Sequence, residues 1–186
     1  MLAHMLNEPW LIDAVRKETE PALRGETPDL QYLDNSCPQL GAIWDEAMRL
    51  GSLGLSVRHV ANEVIIGNKV LRKGNRVMMP FRQLHFDEKV FGAGVEEFQS
   101  QRFLKTPSLE KSPSFRPFGG GITMCPGRFV AKQTVLAFIA TIVNRFEIEI
   151  DPPNQSFPTA EEGIPVVGLM DPKIGSDYKI KLTQRC

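Results

Sequence analysis

The amino-acid sequence predicts a mainly α-helical fold with small β-sheets, an α+β arrangement. A long amphipathic helix from Arg128 to Phe146 and short β-branched runs between Val57 and Met79 carry this prediction. Two further segments, Phe146–Ile150 and Tyr178–Leu182, alternate with a period of two, as half-exposed strands do. With 186 residues, the chain is long enough for one domain with a buried core.

The first fifty residues contain two more predicted helices. Pro9 suits a first helical position, and a helix over residues 10–20 is expected to end before a second proline. A polar loop follows over residues 23–39. Apolar residues then recur at three- and four-residue intervals over residues 40–50, which predicts a helix that stops at Gly51.

The middle of the chain changes from extended to irregular. Turn residues at Gly67-Asn68 and Lys73-Gly74-Asn75 separate the β-branched runs, which predicts hairpins over residues 57–79. Residues 80–117 show no clear period. A segment of that length without regular structure is usually functional or held by specific contacts.

Charge and cysteine content exclude several classes of protein. Lys and Arg total 22 and balance 22 Asp and Glu, so neither nucleic acid nor an anionic membrane is expected as the main partner. The opening residues 1–6 lack the basic region of a signal peptide, and no apolar run is long enough to span a bilayer. The chain as written is expected to be cytoplasmic and without a membrane anchor. Three sparse cysteines (Cys37, Cys125 and Cys186) do not form a disulfide pattern and favour a reducing compartment.

The most informative segment runs from Phe118 to Arg128, Phe-Gly-Gly-Gly-Ile-Thr-Met-Cys-Pro-Gly-Arg. Three consecutive glycines allow the backbone to approach a flat or bulky group closely and permit positive φ. Cys125 precedes the long helix, with Pro126 expected at its first position. A helix N-terminus favours a thiolate, and Gly127 and Arg128 are the expected hydrogen-bond donors to the sulfur. Such a thiolate is a good iron ligand.

Other interpretations of this loop each require a particular spacing of residues. No glycine begins the Gly-x-x-x-x-Gly-Lys-Ser/Thr pattern of a phosphate-binding loop, and Ala131 stands where a cysteine phosphatase has its arginine. The histidines (His4, His59 and His85) lie in no recognisable local signature for a cysteine nucleophile. On this loop alone, a partly buried cysteine that only packs at a helix cap is an equally good interpretation.

The rest of the pattern resembles a known family. Phe118-x-x-Gly121-x-x-x-Cys125-x-Gly127 is similar to the haem-binding signature of cytochromes P450, and Arg128-Phe129-Val130-Ala131-Lys132 resembles the start of their proximal helix. The residues around Cys125-Pro126-Gly127 look most like those of fungal P450s of secondary metabolism. This resemblance implies that Cys125 is the axial thiolate of haem b, in a loop that also uses Gly119.

Two upstream motifs occur in the order found in that family. Glu46 and Arg49 resemble its Glu-x-x-Arg pair, and Arg102 in Phe-Gln-Ser-Gln-Arg-Phe resembles the arginine that completes a structural triad with them. The family's usual proline is absent from the latter motif. Thr123 replaces the Arg or His that usually contacts a haem propionate, and Arg58 resembles another propionate ligand that could compensate.

The resemblance covers essentially the whole chain, but only the C-terminal part of the P450 fold. The expected divisions are helices over 1–51, hairpins over 57–79, a meander over 80–117, the haem-ligand loop over 118–127, the proximal helix over 128–146 and C-terminal strands over 147–186. Residues 1–6 resemble the end of the distal helix, so its acid–alcohol pair and the N-terminal two-thirds are expected to be absent. Full-length relatives are expected to be anchored in the endoplasmic reticulum membrane.

The implied function is that of a truncated haem-thiolate monooxygenase, which inserts oxygen into an apolar small molecule of fungal secondary metabolism. NADPH–P450 reductase would be the electron donor, and no catalytic acid can be named. The alternative is a non-catalytic P450 remnant that does not bind haem by itself. Substrate-pocket residues are expected near residues 53–57 and 166–170, which are too few to define a substrate.

Overall fold

The computed structural model describes residues 1–161 and 168–185 and has a mainly helical architecture with small sheets, as predicted. Eight α-helices lie in the described residues: α1 (Leu2–Asn7), α2 (Pro9–Thr19), α3 (Leu30–Asn35), α4 (Pro38–Gly51), α5 (Phe81–His85), α6 (Glu88–Phe91), α7 (Arg102–Lys105) and α8 (Arg128–Arg145). Short 3-10 segments cover Glu20–Leu23, Pro107–Lys111 and Gly121–Thr123. None of the helices in the described ranges is long and apolar enough to cross a membrane.

The starts of three helices follow from local chemistry. Pro9 and Pro38 open α2 and α4, where a missing N–H costs nothing and the fixed φ suits a helix. The Asp29 carboxylate caps α3 by accepting from the Tyr32 amide at 2.9 Å. The prediction of an unbroken polar loop over 23–39 was therefore wrong, because a capped helix of six residues is too short to show a period.

The hydrophobic core lies where α2, α4 and α8 pack together with α3. Fully buried side chains from these helices fill it: Leu11, Val15, Leu33, Leu40, Ile43, Leu136, Ala140 and Val143. The amphipathic pattern predicted for the long helix corresponds only partly to its burial. The buried residues of α8 begin at Leu136, whereas Phe129 and Val130 in its first turn are 62% and 68% exposed.

The strands form three two-stranded antiparallel sheets. They are β1 (Leu55–His59) with β4 (Arg76–Pro80), β2 (Val64–Ile66) with β3 (Lys69–Leu71), and β5 (Phe146–Ile150) with β6 (Ile180–Gln184). The β2–β3 hairpin is inserted between β1 and β4. The last strand begins two residues later than the alternation suggested. Each strand pairs on one side only within its sheet, so its other side is an edge.

Residues 80–117 are less irregular than predicted, because they contain α5, α6, α7 and a 3-10 turn. These helices are four or five residues long, too short for a periodic signal. Among the described cysteines, Cys37 is buried and Cys125 is exposed, and both are free thiols. Cys186 lies outside the described residues.

Candidate functional site

The cysteine loop, residues 116–127, presents an exposed thiol at its end. Gly119 and Gly121 have φ of +81° and +73°, which side-chain-bearing residues rarely adopt. The Cys125 amide donates to the Phe118 carbonyl at 3.1 Å, so the loop closes on itself. A Cβ at Gly127 would lie 3.7 Å from Cys125 Sγ, which is ordinary van der Waals contact.

The start of α8 differs from the sequence expectation. The helix begins at Arg128, two residues after Pro126, which lies in the turn that precedes it. The Arg128 guanidinium donates to the Cys125 carbonyl oxygen at 2.9 Å. This side chain therefore fastens the backbone next to the sulfur. Donation to the sulfur by the amides of Gly127 and Arg128 stays a prediction.

The thiol faces a large, open cavity of about 770 Å³. Its walls come from α4, β1, the cysteine loop and α8, and include Trp44, Met48, Leu55, Val57, Phe81, Phe118, Gly119, Ala131, Val135 and Leu169. The predicted pocket segment over residues 53–57 contributes from Gly54 onward. Gly168 and Leu169 also line the cavity, whereas residues 166 and 167 lie outside the described residues.

A guanidinium lies in the wall of the same cavity. Arg58, on β1, donates to the Thr123 hydroxyl in the cysteine loop and to the Val57 carbonyl at 3.0 Å. Arg58 from β1 and Thr123 from the cysteine loop, the two positions discussed above in relation to a haem propionate, are therefore in contact. Their contact places a cation and a hydroxyl together, in a suitable arrangement for an anionic substituent.

Phe118 joins the cysteine loop to α4. Its ring centroid lies 6.4 Å from that of Trp44, with 24° between the ring planes. Trp44 is two residues before Glu46, so the helix that carries the buried charges also supports the loop. Sequence reasoning had not assigned Trp44 or Phe81 to the site, and their only signal was an aromatic ring next to a motif or a strand end.

Three charged side chains form a buried network behind the loop. Glu46 and Arg49 are fully buried and Arg102 is 8% exposed. Arg49 forms two bonds of 2.8 Å to the Glu46 carboxylate, and Arg102 Nε lies 3.1 Å from Glu46 Oε1. This bidentate geometry offsets much of the desolvation cost of the charges.

The same network holds the irregular segment. Arg49 donates to the carbonyls of His85 and Val95 at 2.9 and 2.7 Å, and Arg102 donates to those of Phe91 and Gly94. The guanidinium donors thus satisfy buried carbonyl groups that no helix or strand pairs. The structure brings together Glu46, Arg49 and Arg102, the three positions that the resemblance implied as a structural triad.

A second carboxylate cluster lies on the outer side of the loop. Asp45 lines a cavity of about 320 Å³ with Asp34, Glu110, Lys132 and Phe129. Burial, reinforced by the negative charge of Glu110, raises the pKa of Asp45 to about 7. Lys132 Nζ forms a 2.7 Å ion pair with Asp34. This cluster has no local sequence signal, since its members come from four separate segments.

The donor set of the larger cavity suits a flat, apolar cofactor with acidic substituents. Across residues 1–161 and 168–185, no three His, Cys, Asp or Glu side chains come together to hold a metal ion. The apolar walls, the exposed Cys125 thiol and the Arg58–Thr123 pair fit the haem that the resemblance implies.

Comparison with known proteins agrees with this chemistry. Residues 1–176 match the family model described as Cytochrome P450. The chain is 30% identical over 171 residues to the cytochrome P450 monooxygenase poxD of Penicillium oxalicum, covering 87% of this chain and 35% of that protein. It is 30% identical over 189 residues to the steroid 17-alpha-hydroxylase/17,20 lyase of Oryzias latipes, covering 99% and 35%.

A third relative joins the matching region to another enzyme. The bifunctional cytochrome P450/NADPH–P450 reductase of Gibberella moniliformis is 28% identical over 152 residues, covering 80% of this chain and 14% of that protein. The chain spans about a third of the length of the first and second of these relatives, and less of the third.

Proposed function

Since the chain belongs to the cytochrome P450 family, we propose that it forms the part of a haem monooxygenase site that carries the thiolate, with Cys125 as the iron ligand. The observation that carries this proposal is the exposed Cys125 thiol, which faces the same apolar cavity as Arg58. The activity is oxygen insertion into a small apolar molecule. The fungal monooxygenase among the relatives supports a role in fungal secondary metabolism.

Each predicted site residue has a role in this proposal. Cys125 would hold the iron through its sulfur, and Arg58 with Thr123 would bind a propionate. Phe118, Gly119, Gly121 and Gly127 shape the loop so that the backbone passes close beside the macrocycle. Haem b, when bound, would supply the dioxygen and redox chemistry, and the Cys125 thiolate would promote it.

The remaining groups hold the site rather than react. Glu46, Arg49 and Arg102 fix the segment before the loop, and the Arg128 guanidinium fixes the Cys125 carbonyl. The apolar wall from α4, β1 and α8 would exclude water from a macrocycle bound in the cavity. No catalytic acid is assigned to this chain.

An electron donor of the NADPH–P450 reductase class is part of the proposal. The relative that carries both a P450 and a reductase in one protein supports it. An anchored location at the endoplasmic reticulum membrane, as expected for full-length relatives, belongs to the same proposal.

The ferrous carbon monoxide difference spectrum of the haem-loaded chain tests the assignment. We expect a Soret band at the position of thiolate-ligated haem in the wild type and in Cys37→Ala, which removes the other described thiol. Cys125→Ser should lose that band. A thiolate-type band that persists in Cys125→Ser would overturn the ligand assignment.

A non-catalytic P450 remnant is the second candidate. It is favoured by large apolar side chains at the surface, with Ile65, Val130 and Ile174 at 68%, 68% and 95% exposure. Under this candidate, the purified chain takes up no haem and gives no thiolate-type band in the same experiment.

A further inference from the structure

We propose that His85 is a positioning residue for the cysteine loop, through a hydrogen-bonded relay from the Arg49 carbonyl to the Cys125 amide. His85 is the last residue of α5 and is fully buried. It does not line the 770 Å³ cavity, so it has no direct contact with a group bound there. The role of the relay rests on the proposed function of Cys125, whereas the hydrogen bonds that form it are independent of that function.

Both ring nitrogens of His85 have partners. Nε2 lies 2.8 Å from the Arg116 amide nitrogen, and Nδ1 lies 3.1 Å from the Arg49 carbonyl oxygen and 3.2 Å from Ser52 Oγ. An amide N–H can only donate, so Nε2 must be the unprotonated acceptor. A carbonyl oxygen can only accept, so Nδ1 carries the hydrogen. The two partners together select the neutral Nδ1–H tautomer.

The surroundings of the ring keep it neutral. Burial lowers the pKa of His85 to about 4, and the guanidinium groups of Arg49 and Arg82 add to this effect. The Phe115 ring centroid lies 5.7 Å from that of the imidazole and closes the site from the loop side. A protonated ring would lose its acceptor, and the Arg116 amide would then lack a partner.

The relay continues from Arg116 to the thiol residue. The Arg116 carbonyl accepts from the Gly119 amide at 3.1 Å, which sets the first turn of the loop. The Phe118 carbonyl then accepts from the Cys125 amide at 3.1 Å. The Gly119 amide and the Phe118 carbonyl belong to the same peptide plane, and Arg116 joins this pair of bonds to the His85 ring through its own amide and carbonyl. His85 therefore ties the loop to α4, the helix that carries the buried Glu46–Arg49 pair.

The backbone of His85 strengthens the joint. Its carbonyl accepts from the Arg49 guanidinium at 2.9 Å, while its ring donates to the carbonyl of the same residue. Arg49 and His85 thus hold each other at two points. A residue with this arrangement transmits the position of the buried charges to the loop, which packing of an apolar side chain would not do.

The relay is tested first in the wild-type chain, labelled with nitrogen-15 and without haem. We expect a scalar coupling across the hydrogen bond between the Arg116 amide nitrogen and His85 Nε2, and a ring nitrogen shift of the Nδ1–H tautomer. A protonated Nε2 at neutral pH, or a coupling absent from a well-resolved pair of signals, would overturn the proposal.

Variants then test the transmission. In His85→Phe we expect amide hydrogen exchange at Gly119 and Cys125 to accelerate roughly tenfold, the effect of losing one buried hydrogen bond. His85→Gln, whose carbonyl oxygen can accept from Arg116, should restore protection to within about twofold. The exposed His59 gives the matched control His59→Phe, and the Leu136 amide in α8 reports global opening. Equal acceleration at Leu136 and Cys125 would mean that His85 serves only overall stability and would refute the relay.

The haem-loaded chain provides a separate readout. His85→Phe should lower the fraction of the thiolate-type carbon monoxide spectrum, and His85→Gln should recover it. If the exchange rates change as predicted but no variant takes up haem, the proposed function is contradicted and the relay is supported. If the chain takes up haem but His85→Phe leaves the exchange rates unchanged, the relay is refuted and the proposed function is supported.

Discussion

Replacement of Glu46 by Gln tests how much the chain depends on its buried charge network. The substitution keeps the size of the side chain and removes its charge. Glu46 is fully buried and contacts the guanidinium groups of both Arg49 and Arg102, so the variant leaves two buried cations without a counter-charge. Removing one partner from a buried ion pair destabilises a protein by about 3–5 kcal/mol.

Urea unfolding followed by circular dichroism measures the effect. A free-energy loss of this size corresponds to a lower midpoint by about 1–5 M urea, since the slope is about 1–3 kcal/mol per M for small proteins. Natural domains have only about 5–15 kcal/mol of stability in total, so the loss is a large share. Arg102→Lys, which keeps the charge and loses the planar donors, is the milder variant if Glu46→Gln does not fold.

Glu149→Gln is the matched control. Glu149 is 66% exposed and pairs with Lys181 across the β5–β6 ladder at 3.6 Å. An exposed pair of this kind contributes roughly 0.2–1 kcal/mol. If Glu46→Gln and Glu149→Gln lower the free energy of unfolding equally, the network does not hold the 80–117 segment in the way described.

Two further predictions concern glycines and pH. Gly121→Ala should destabilise the chain by about 1 kcal/mol, because the φ of +73° at this position disfavours a side chain even though no atom lies within 4 Å of the added Cβ. Gly41→Ala, inside α4 and with the same open space, should stabilise the chain by roughly 0.5–1 kcal/mol. Thermal unfolding compares the two variants, and equal effects would contradict the conformational argument. The pKa of Asp45 is raised to about 7 in the folded state, so the folded state binds this proton more tightly than the unfolded state. The resulting contribution to the free energy of unfolding is fully present below about pH 4 and is lost as the pH rises through 7. Asp45→Asn should therefore stabilise the chain relative to wild type at pH 8, by at most on the order of 4 kcal/mol, and much less at pH 4; urea unfolding at both pH values checks this, and an advantage that does not grow with pH would contradict it.

Sequence reasoning located the elements whose signal is local or periodic. The helices around Glu46 and after Cys125, the hairpins and the family itself were correctly predicted, since each depends on spacing within a few residues. Residue contacts between distant segments gave no such signal. The hydrogen bonds of His85 connect Arg49 and Arg116 from separate segments of the chain. Nothing in the sequence distinguishes this histidine from one that is exposed.

The errors have a common physical cause. Helices α3, α5, α6 and α7 are four to six residues long, and caps and tertiary contacts decide them rather than an amphipathic pattern. The exposure of Phe129 and Val130 in the first turn of α8 could not be predicted, because periodicity identifies an apolar face but not what covers it.

The two-stranded sheets also affect how the chain behaves in solution. Each of their strands presents backbone N–H and C=O groups on one side that its sheet does not use. Unpaired strand edges of this kind are places where a second molecule can add a strand, and such addition increases with protein concentration. Association of this type would add a mass-action contribution to the measured stability, so unfolding midpoints should be compared at matched protein concentration.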